Sequence, residues 1–463
     1  MPLILGTNSI KDTGYDVANS LRLDDSSNSH LSKSISGTNT TKLTISFWTK
    51  RTAPAGTGDN YLVFQSENNT SNYLSISFGN PKIDIQIGGT ANRRITNAVY
   101  RDQSAWYHVV ITFDTTQSSA SDRIKLYISG TQETSFSTST TGMSQDSNLP
   151  AISSTLDYAI GDYPGQSGWG YNGYLAEFCV LYGQALTPTS FGEFDSDSPT
   201  IWKPIDVSGL TYSGNSFYLD FENSAELGTD VSGNSNTFTE NNITAVNQSL
   251  DTCTNNFATM NPLAITNSGN TFSEGNLKIT TTSGASSYNQ ATIGVSTGKW
   301  FWEVKYVSDT DGSGNYARIG IADIDPPNTG GLGETEGIAY EAINGRYKIR
   351  GSATTYGDTY APGDIIGVAL NLDDTELIFY KNGTAQNSGT AIDISSYTPK
   401  TGFWHPAFNY DDGSNSGVFE ANFGSPSFSI SSGNSDANGY GNFEYSVPSG
   451  YYSLNTKNLA EFG

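Results

Sequence analysis

The chain has 463 residues, of which 46 are acidic and 23 basic, giving a formal net charge of −23. Because this charge repels phosphate groups, we predict that the protein binds no nucleic acid and inserts into no membrane. No stretch approaches the roughly 18 consecutive apolar residues of a membrane span, and the N-terminus lacks the features of a secretory signal. The two cysteines are too few for a disulfide framework.

The composition favours strands and turns. There are 27 Tyr, 22 Phe and 49 Gly, and runs of Ser, Thr, Asn and Gly separate short apolar stretches. Aromatic residues are enriched in strands, and the small polar residues are enriched in turns. We therefore predict an all-β protein of two antiparallel, jelly-roll-like β-sandwich domains joined by an extended connector.

The first strand series shows period-two alternation of apolar side chains. In LTISFWTKR, Leu43, Ile45 and Phe47 share one face. Pro188 after Thr187 predicts a single helical turn capped by Thr187. The other predicted strands are 73–79, 82–89, 106–114, 123–130 and 171–186. Residues 1–203 are predicted to form the first sandwich.

The pattern weakens between residues 204 and 262. Short apolar patches such as Phe217, Leu219 and Phe221 lie among Asn, Ser and Thr. A free linker would contain no such aromatics. We predict an ordered, extended connector that lies against one or both domains.

A second alternating series follows, and residues 263–428 are predicted to form the second sandwich, with a tail at 429–463. Asp373 and Asp374 are predicted to supply a hairpin turn. One strand, 298–307, places Trp300, Trp302, Val304 and Tyr306 on one face. The others are 317–323, 336–342, 345–351, 364–374, 376–384, 404–410 and 419–424.

The second series resembles the SPRY domain. The resemblance rests on GKWFWEVKY, RIGIAD, GDIIGVALNLDDTELIFYKNG and HPAFNY, in this order. It implies a bent antiparallel sandwich without catalytic activity, which binds partners through loops at one end. Tyr316, Asp323, Asp325 and Tyr410 lie on loops or strand ends where such binding is expected.

The first series resembles laminin-G-like modules of the concanavalin A-like group. The resemblance rests on SLRLDDSSNSHLS, LTISFWTKR, AWYHVVITFDTT, DRIKLYISG and GYLAEFCVLYGQALTPTSFGEF. Such modules often hold calcium on a rim loop, and calcium takes six to eight oxygen ligands. Asp24, Asp25 and Asp162 are therefore candidate Ca²⁺ ligands. The alternative for Asp24 and Asp25 is a solvated turn with side chain–backbone hydrogen bonds. No other cofactor is expected.

The loop 161–174 is a candidate glycan site. It concentrates Tyr163, Trp169, Tyr171 and Asn172 among glycines. Aromatic rings stack on the C–H faces of sugars, and neighbouring amides bind hydroxyl groups. The alternative is a loop folded over the open end of the sandwich.

Enzymatic chemistry is weakly supported. Glycosidases of this group need two carboxylates across the scissile bond, and the nearest string is Glu193, Asp195 and Asp197, after the last strand of the first series. The three histidines, His30, His108 and His405, are scattered along the chain. We predict that the protein is not an enzyme.

The chain as a whole is similar to tail-fibre and virion-surface proteins of marine bacteriophages. The similarity implies a protein on the virion surface, assembled in the host cytoplasm, that binds a host glycan or receptor. It also implies contacts with other virion proteins and a homo-oligomer, with a trimer possible. The alternatives are a structural decoration protein and, less favoured, a polysaccharide-degrading enzyme.

Overall fold

The computed structural model describes residues 12–52, 60–69, 72–79, 81–150, 152, 156–162, 168–264, 269–282, 288–310, 312, 316–323, 331–334, 337–411 and 414–463. In this part of the chain nearly all regular structure is β-strand, arranged in antiparallel sheets. The predicted all-β fold is therefore confirmed. The α-helix in the described residues, α1 (Thr456–Phe462), has 7 residues, and none there is long and apolar enough to span a membrane.

The chain divides into two compact units, and the first is Thr13–Thr254. Its strands are β1 Ser20–Leu23, β2 His30–Ile35, β3 Lys42–Arg51, β4 Asn60–Asn69, β5 Asn72–Gly79, β6 Lys82–Ile87, β7 Asn92–Thr96, β8 Tyr107–Asp114, β9 Ile124–Ile128, β10 Thr131–Glu133, β11 Phe136–Thr141, β12 Leu156–Ile160, β13 Gly173–Tyr182, β14 Gly192–Phe194, β15 Trp202–Pro204, β16 Phe217–Leu219, β17 Thr239–Asn241 and β18 Gln248–Ser249.

Two eight-stranded sheets form the first unit. The β13 sheet has the order β10-β9-β8-β3-β13-β1-β18, with β16 also paired to β13, and the β12 sheet has the order β11-β7-β6-β5-β4-β12-β2-β17. Alternate residues of both sheets contribute to one core, in which Phe47 and Phe178 stack with ring centroids 5.2 Å apart. Trp48, the residue after Phe47, points to the opposite face and packs with Val17 and Ala176. The period of two in LTISFWTKR therefore predicted the strand and its core face.

The helical turn predicted after Thr187 is present as the 3-10 turn Pro188–Ser190. The Thr187 side chain makes no capping hydrogen bond; its hydroxyl pairs with that of Thr189 at 2.9 Å. The fixed φ of Pro188 suits the first position of a helical turn without help from a cap.

The segment predicted as a connector is divided between the two units. Residues 204–254 lie in the first unit, where Val207 and Tyr218 pack with Val110 on the outer face of the β13 sheet. Phe217 and Leu219 belong to the main core of that unit. Residues 255–262 lie in the second unit. Burial of these apolar side chains explains why the segment folds onto a sheet.

The second unit contains Asn255–Gly463. Its strands are β19 Thr271–Ser273, β20 Lys278–Thr280, β21 Asn289–Gln290, β22 Lys299–Asp309, β23 Ala317–Asp323, β24 Ile338–Glu341, β25 Arg346–Ile349, β26 Ser352–Thr355, β27 Ile365–Asn371, β28 Glu376–Lys381, β29 Thr384–Ala385, β30 Ile392–Asp393, β31 Trp404–Tyr410, β32 Gly417–Asn422 and β33 Tyr452–Ser453.

A nine-stranded and a six-stranded sheet form this unit. The β22 sheet contains β19-β20-β32-β22-β27-β28-β29 with β30 and β33, and the β31 sheet has the order β21-β31-β23-β24-β25-β26. The predicted face of β22 lies in the core between them, with Trp300 and Trp302 fully buried. The predicted hairpin is confirmed, because β27 and β28 pair with Asn371 opposite Glu376 and the turn between them contains Asp373 and Asp374.

The C-terminal segment covers the outer face of the β22 sheet. Phe443 packs edge-on against Phe301 with ring centroids 5.4 Å apart. The fully buried carboxylate of Glu303 accepts hydrogen bonds from the backbone N–H groups of Glu444 and Tyr445 at 3.0 and 2.8 Å. Burial raises the pKa of Glu303 to about 7. The predicted tail is thus an integral part of the second unit.

Candidate functional site

The acidic turn and the glycine-rich loop, distant in sequence, form one corner of the first unit. The turn Asp25–Ser27 is a 3-10 turn, and the Asp24 carboxylate accepts a hydrogen bond from the N–H of Ser26 at 2.8 Å. Asp25 joins the turn to the loop, because its Oδ1 accepts from the N–H of Gly170 at 2.9 Å. In return, the N–H of Asp25 donates to Oδ1 of Asn172 at 2.9 Å.

Gly170 is required by this close approach. A Cβ at this position would collide with the Asp25 carboxylate. Only glycine lets a carboxylate approach the backbone this closely. Asp25 and Asn172 therefore hold the corner together, which gives both residues a structural role.

The aromatic residues of the loop differ in their exposure to solvent. The Trp169 side chain is 38% exposed, as a sugar-stacking role requires. Tyr171, in contrast, is fully buried, and its hydroxyl pairs with that of Thr49. Burial raises the pKa of Tyr171 to about 12. The expectation for Tyr171 is corrected, because a ring inside the core cannot stack on a ligand. Tyr163 lies outside the described residues.

The candidate site residues in the second unit also differ in their exposure to solvent. Tyr316 is 41% exposed and contacts Tyr410 edge-on, with ring centroids 5.8 Å apart. Tyr410 is buried in the core, packed near Tyr306, so its role as a surface contact is corrected. Asp325 lies outside the described residues, and Asp323 ends β23.

The candidate metal ligands do not converge. Asp162 is buried, with Oδ2 3.9 Å from Nδ1 of His30, and Asp24 and Asp25 are engaged within the corner described above. Across the described residues, no three His, Cys, Asp or Glu side chains lie close enough together to hold a metal ion. Calcium needs several oxygen ligands around one point, and these three carboxylates do not by themselves supply such a cluster. No function is derived through one.

Beside this corner, an open groove of about 590 Å³ lies on the outer face of the β12 sheet. Strand register places Thr239, Ser32, Ala159 and Gln65 in one row across four strands. Because the short side chain of Ala159 lies between longer polar side chains, the centre of this face is a depression, which we call the low centre. The groove is lined by His30, Ser32, Lys33, Ser34, Gln65, Glu67, Asp157, Tyr158, Ala159, Thr239 and Asn241.

The polar side chains of the groove pair mainly with one another. The Ser34 hydroxyl donates to Asp157 at 2.5 Å, and Nδ2 of Asn241 donates to the Ser32 hydroxyl at 2.9 Å. Hydroxyl and amide groups carry several donor and acceptor positions each, so one such bond leaves capacity for a ligand. The groove therefore offers acceptors and donors within a volume typical of small-ligand sites.

Asp157, Glu67 and Asn241 are not among the site residues predicted from the sequence. The alternation in HLSKSI indicates that His30, Ser32 and Ser34 share a polar face. No local pattern indicates that β12 and β17 flank β2, because these strands are more than a hundred residues away along the chain.

The other chemical candidates are structural. His108 is buried against Trp48, and burial lowers its pKa to about 3, as expected for a packed strand residue. Lys203 Nζ lies 3.5 Å from Glu193 and 3.2 Å from Asp195. Hydrogen bonds, first from the backbone of Ser198, lower the pKa of Asp195, which does not suit a general acid.

The outer face of the β31 sheet carries an ion-pair network. Arg318 contacts Glu334 at 2.9 Å, Glu341 at 3.4 Å and Asp411 at 2.7 Å. Lys348 also contacts Glu334.

Comparison with known proteins agrees with the two folds. Residues 24–190 match the model of the concanavalin A-like lectin/glucanases superfamily. Residues 299–417 match the model of the SPRY domain.

Solved structures were compared as well. The SPRY domain of human HERC1 shares 17% identity over 35% of this chain and 96% of its own, with a TM-score of 0.29. A putative carbohydrate binding protein from Bacteroides ovatus shares 14% identity over 49% of this chain and 59% of its own, with a TM-score of 0.33. A SAP-like pentraxin from Limulus polyphemus shares 14% identity over 37% of this chain and 80% of its own, with a TM-score of 0.29. The protein thus carries a concanavalin A-like domain followed by a SPRY domain.

Proposed function

We propose that the groove on the β12 sheet binds a carbohydrate. The observation that carries the proposal is the arrangement of hydroxyl, amide and carboxylate groups around the low centre at Ala159. Sugar hydroxyls donate and accept hydrogen bonds, so they need both kinds of partner. Asp157 and Glu67 supply acceptors, whereas the hydroxyl groups of Ser32 and Thr239 supply donors.

The match to the lectin/glucanases superfamily supports a sugar ligand, because it covers the strands β2, β4 and β12 that form most of the groove. That description includes hydrolases as well as lectins. Glu67 accepts from Nε2 of Gln65 at 2.7 Å, and Asp157 accepts from Ser34. Neighbouring side chains thus already engage both carboxylates, whereas a glycosidase needs its two carboxylates directed at the scissile bond. We therefore propose binding without hydrolysis.

The setting that we propose is a bacteriophage virion, where the chain would bind glycans on the host surface. Support comes from the similarity of the whole chain to tail-fibre and virion-surface proteins. A shallow groove is expected to bind one sugar weakly. Display of many copies would compensate, because a second contact then forms at a high effective concentration. A homo-oligomer such as a trimer would serve the same purpose.

A panel of purified bacterial surface polysaccharides tests the sugar proposal. The intact protein is expected to bind at least one of them, and Asp157→Ala is expected to weaken that binding about tenfold. Thr354→Ala, on the exposed strand β26 of the second unit, serves as the control and is expected to bind normally. Failure of the protein to bind any polysaccharide, or equal binding by Asp157→Ala, would contradict the proposal.

Binding to bacterial cells separates the groove from the loop. If the groove binds the ligand, Trp169→Ala is expected to bind cells nearly as well as the wild-type protein. Asp157→Ala is expected to bind them weakly. The opposite result would assign the site to the loop. Release of reducing ends from the bound polysaccharide, abolished in Glu67→Gln, would show that the groove hydrolyses its ligand.

A further inference from the structure

A lysine and an aspartate are in direct contact inside the first unit, on the outer side of the β13 sheet. Lys50 lies near the end of β3, opposite Tyr174 of β13, and its side chain is fully buried. Asp251 follows β18, and its side chain is 2% exposed. Nζ of Lys50 contacts Oδ2 of Asp251.

The backbone holds Asp251 in place. Its carbonyl oxygen accepts from the Ser20 hydroxyl at 2.6 Å, and its N–H donates to the Ser249 hydroxyl at 3.1 Å. The carboxyl group therefore reaches Lys50 from a fixed point. Fixed, adjacent reactants react far faster than free ones, because the entropy of bringing them together is already lost.

The surroundings exclude water from this pair. Nζ of Lys50 lies 5.0 Å from the centre of the Tyr174 ring, and the Trp106 ring packs against Tyr174 at 6.2 Å. Moving an ammonium group and a carboxylate group out of water often costs more free energy than their mutual attraction provides. Burial lowers the pKa of Lys50, which favours the neutral amine, the nucleophilic form.

We propose that Lys50 and Asp251 join in an intramolecular amide bond. The neutral amine attacks Cγ of the protonated Asp251 carboxyl group, and the Nζ–Cγ bond forms. The Cγ–Oδ2 bond breaks, and Oδ2 leaves as water with the carboxyl proton and one proton from Nζ. The reaction requires no oxidant, reductant or second substrate.

Trp106 assists the reaction directly. Its indole Nε1–H donates to Oδ1 of Asp251 at 3.1 Å. Oδ1 gains negative charge when Nζ adds to Cγ, and a donor already aimed at it stabilises that charge. The Asp102 carboxylate is the other nearby acidic group that favours charge on Lys50, and it is held by the N–H and hydroxyl of Ser104.

The bond would close residues 50–251 into one covalent ring. The ring would contain most of both sheets of the first unit. Its far end at Asp251 lies three residues before the boundary at Thr254. A pull on the chain beyond this boundary would then act on β3 through a covalent bond.

The intact mass of the full-length protein, purified under denaturing conditions, tests the proposal. The mass is expected to fall below the sum of the residues by one water molecule. Chymotrypsin is expected to release residues 49–61 joined to residues 251–257, because it cuts after Trp48, Tyr61, Leu250 and Phe257. If the wild-type protein yields these two peptides separately, the proposal is overturned, regardless of the results for the variants.

Three variants and one internal control sharpen the result. Lys50→Met and Asp251→Ala are expected to show the full mass. Trp106→Phe keeps the ring but removes the donor, so a smaller joined fraction is expected soon after synthesis; an unchanged fraction would contradict the role of Trp106. Lys348 and Glu334 are also in contact but are 15% and 34% exposed. Their peptides are expected to separate, and a link there would overturn the argument from burial.

Discussion

The outer face of the β12 sheet and that of the β31 sheet are both polar, but they use their polar groups differently. On the β12 sheet, hydroxyl and amide groups surround an open groove, as in the contact of Asn241 with Ser32. On the β31 sheet, Arg318 is surrounded by three carboxylates. Charged groups that satisfy one another stabilise a face, whereas neutral groups with remaining hydrogen-bonding capacity can accept a ligand.

The largest expected effect tests the stabilising role of the network. Arg318→Ala removes the guanidinium partner of Asp411, which is mostly buried, whereas Glu341 keeps its contact with Arg346. We expect the second unit to lose about 4 kcal/mol of unfolding free energy, because breaking a buried ion pair strands a charge. Urea unfolding measures the loss. A change below about 1 kcal/mol would mean that the network is only a surface feature.

A second difference concerns one buried carboxyl group in each unit. Glu177 sits at a bulge in β13 with φ of 49° and accepts from the Tyr218 hydroxyl at 2.8 Å. Burial raises its pKa to about 7 from 4.5. Glu303 instead accepts from backbone N–H groups, which donate but cannot accept. If the carboxyl group is replaced by a neutral amide, the Tyr218 hydroxyl can rotate to accept a hydrogen bond from it, whereas backbone N–H groups cannot.

The pH dependence of the first unit follows from this. The folded state binds the Glu177 proton more tightly than the unfolded chain, so this group lowers stability as pH rises from about 4.5 to about 7. Glu177→Gln should therefore be more stable than the wild type by about 3 kcal/mol at pH 8 and nearly equal to it at pH 4. Pulse proteolysis in urea, with the cleavage of β13 followed through its peptides, measures the unfolding free energy at each pH. Glu303→Gln is the contrast: by the same linkage it should also gain on the wild type between pH 4 and pH 8, but it should be the less stable protein at pH 4, because its amide –NH₂ group faces backbone N–H donors.

A smaller effect tests the groove. Ala159→Leu raises the low centre of the face, so carbohydrate binding should weaken about tenfold, or by about 1.4 kcal/mol. The stability of the first unit should change by less than about 1 kcal/mol, because the added atoms face the groove. Calorimetric titration and thermal unfolding measure the two effects. Unchanged affinity would place the ligand elsewhere.

The smallest expected effect is at an exposed pair. Lys299 and Asp374 are 3.1 Å apart, and their side chains are 34% and 60% exposed. Lys299→Ala should cost no more than about 0.5 kcal/mol, since water screens such pairs. It serves as the control for Arg318→Ala in the same unfolding assay. A cost close to that of Arg318→Ala would show that burial does not distinguish the two pairs.

Calcium remains a prediction of the sequence alone. If Asp24, Asp25 or Asp162 bound it, EGTA would lower the melting temperature of the protein. The hydrogen bonds that already engage Asp24 and Asp25 lead us to expect no shift.

The groove strands β2, β4, β12 and β17 were not predicted. The sequence by itself determined the all-β class, strands such as β3 and β22, the hairpin at Asp373 and Asp374, and core residues such as Trp300 and Trp302. These features are local, because alternation shows which face of a strand is apolar. Only the tertiary structure decided that Tyr171 and Tyr410 are buried and that Trp169 and Tyr316 are exposed.

Tertiary structure also decided the neighbours of each strand. The groove needs β2, β12 and β17 side by side, and the contact between Lys50 and Asp251 spans 201 residues. A period of two shows that a side chain faces outward but not which distant strand lies beside it. Those neighbours follow from packing the two sheets around a common core.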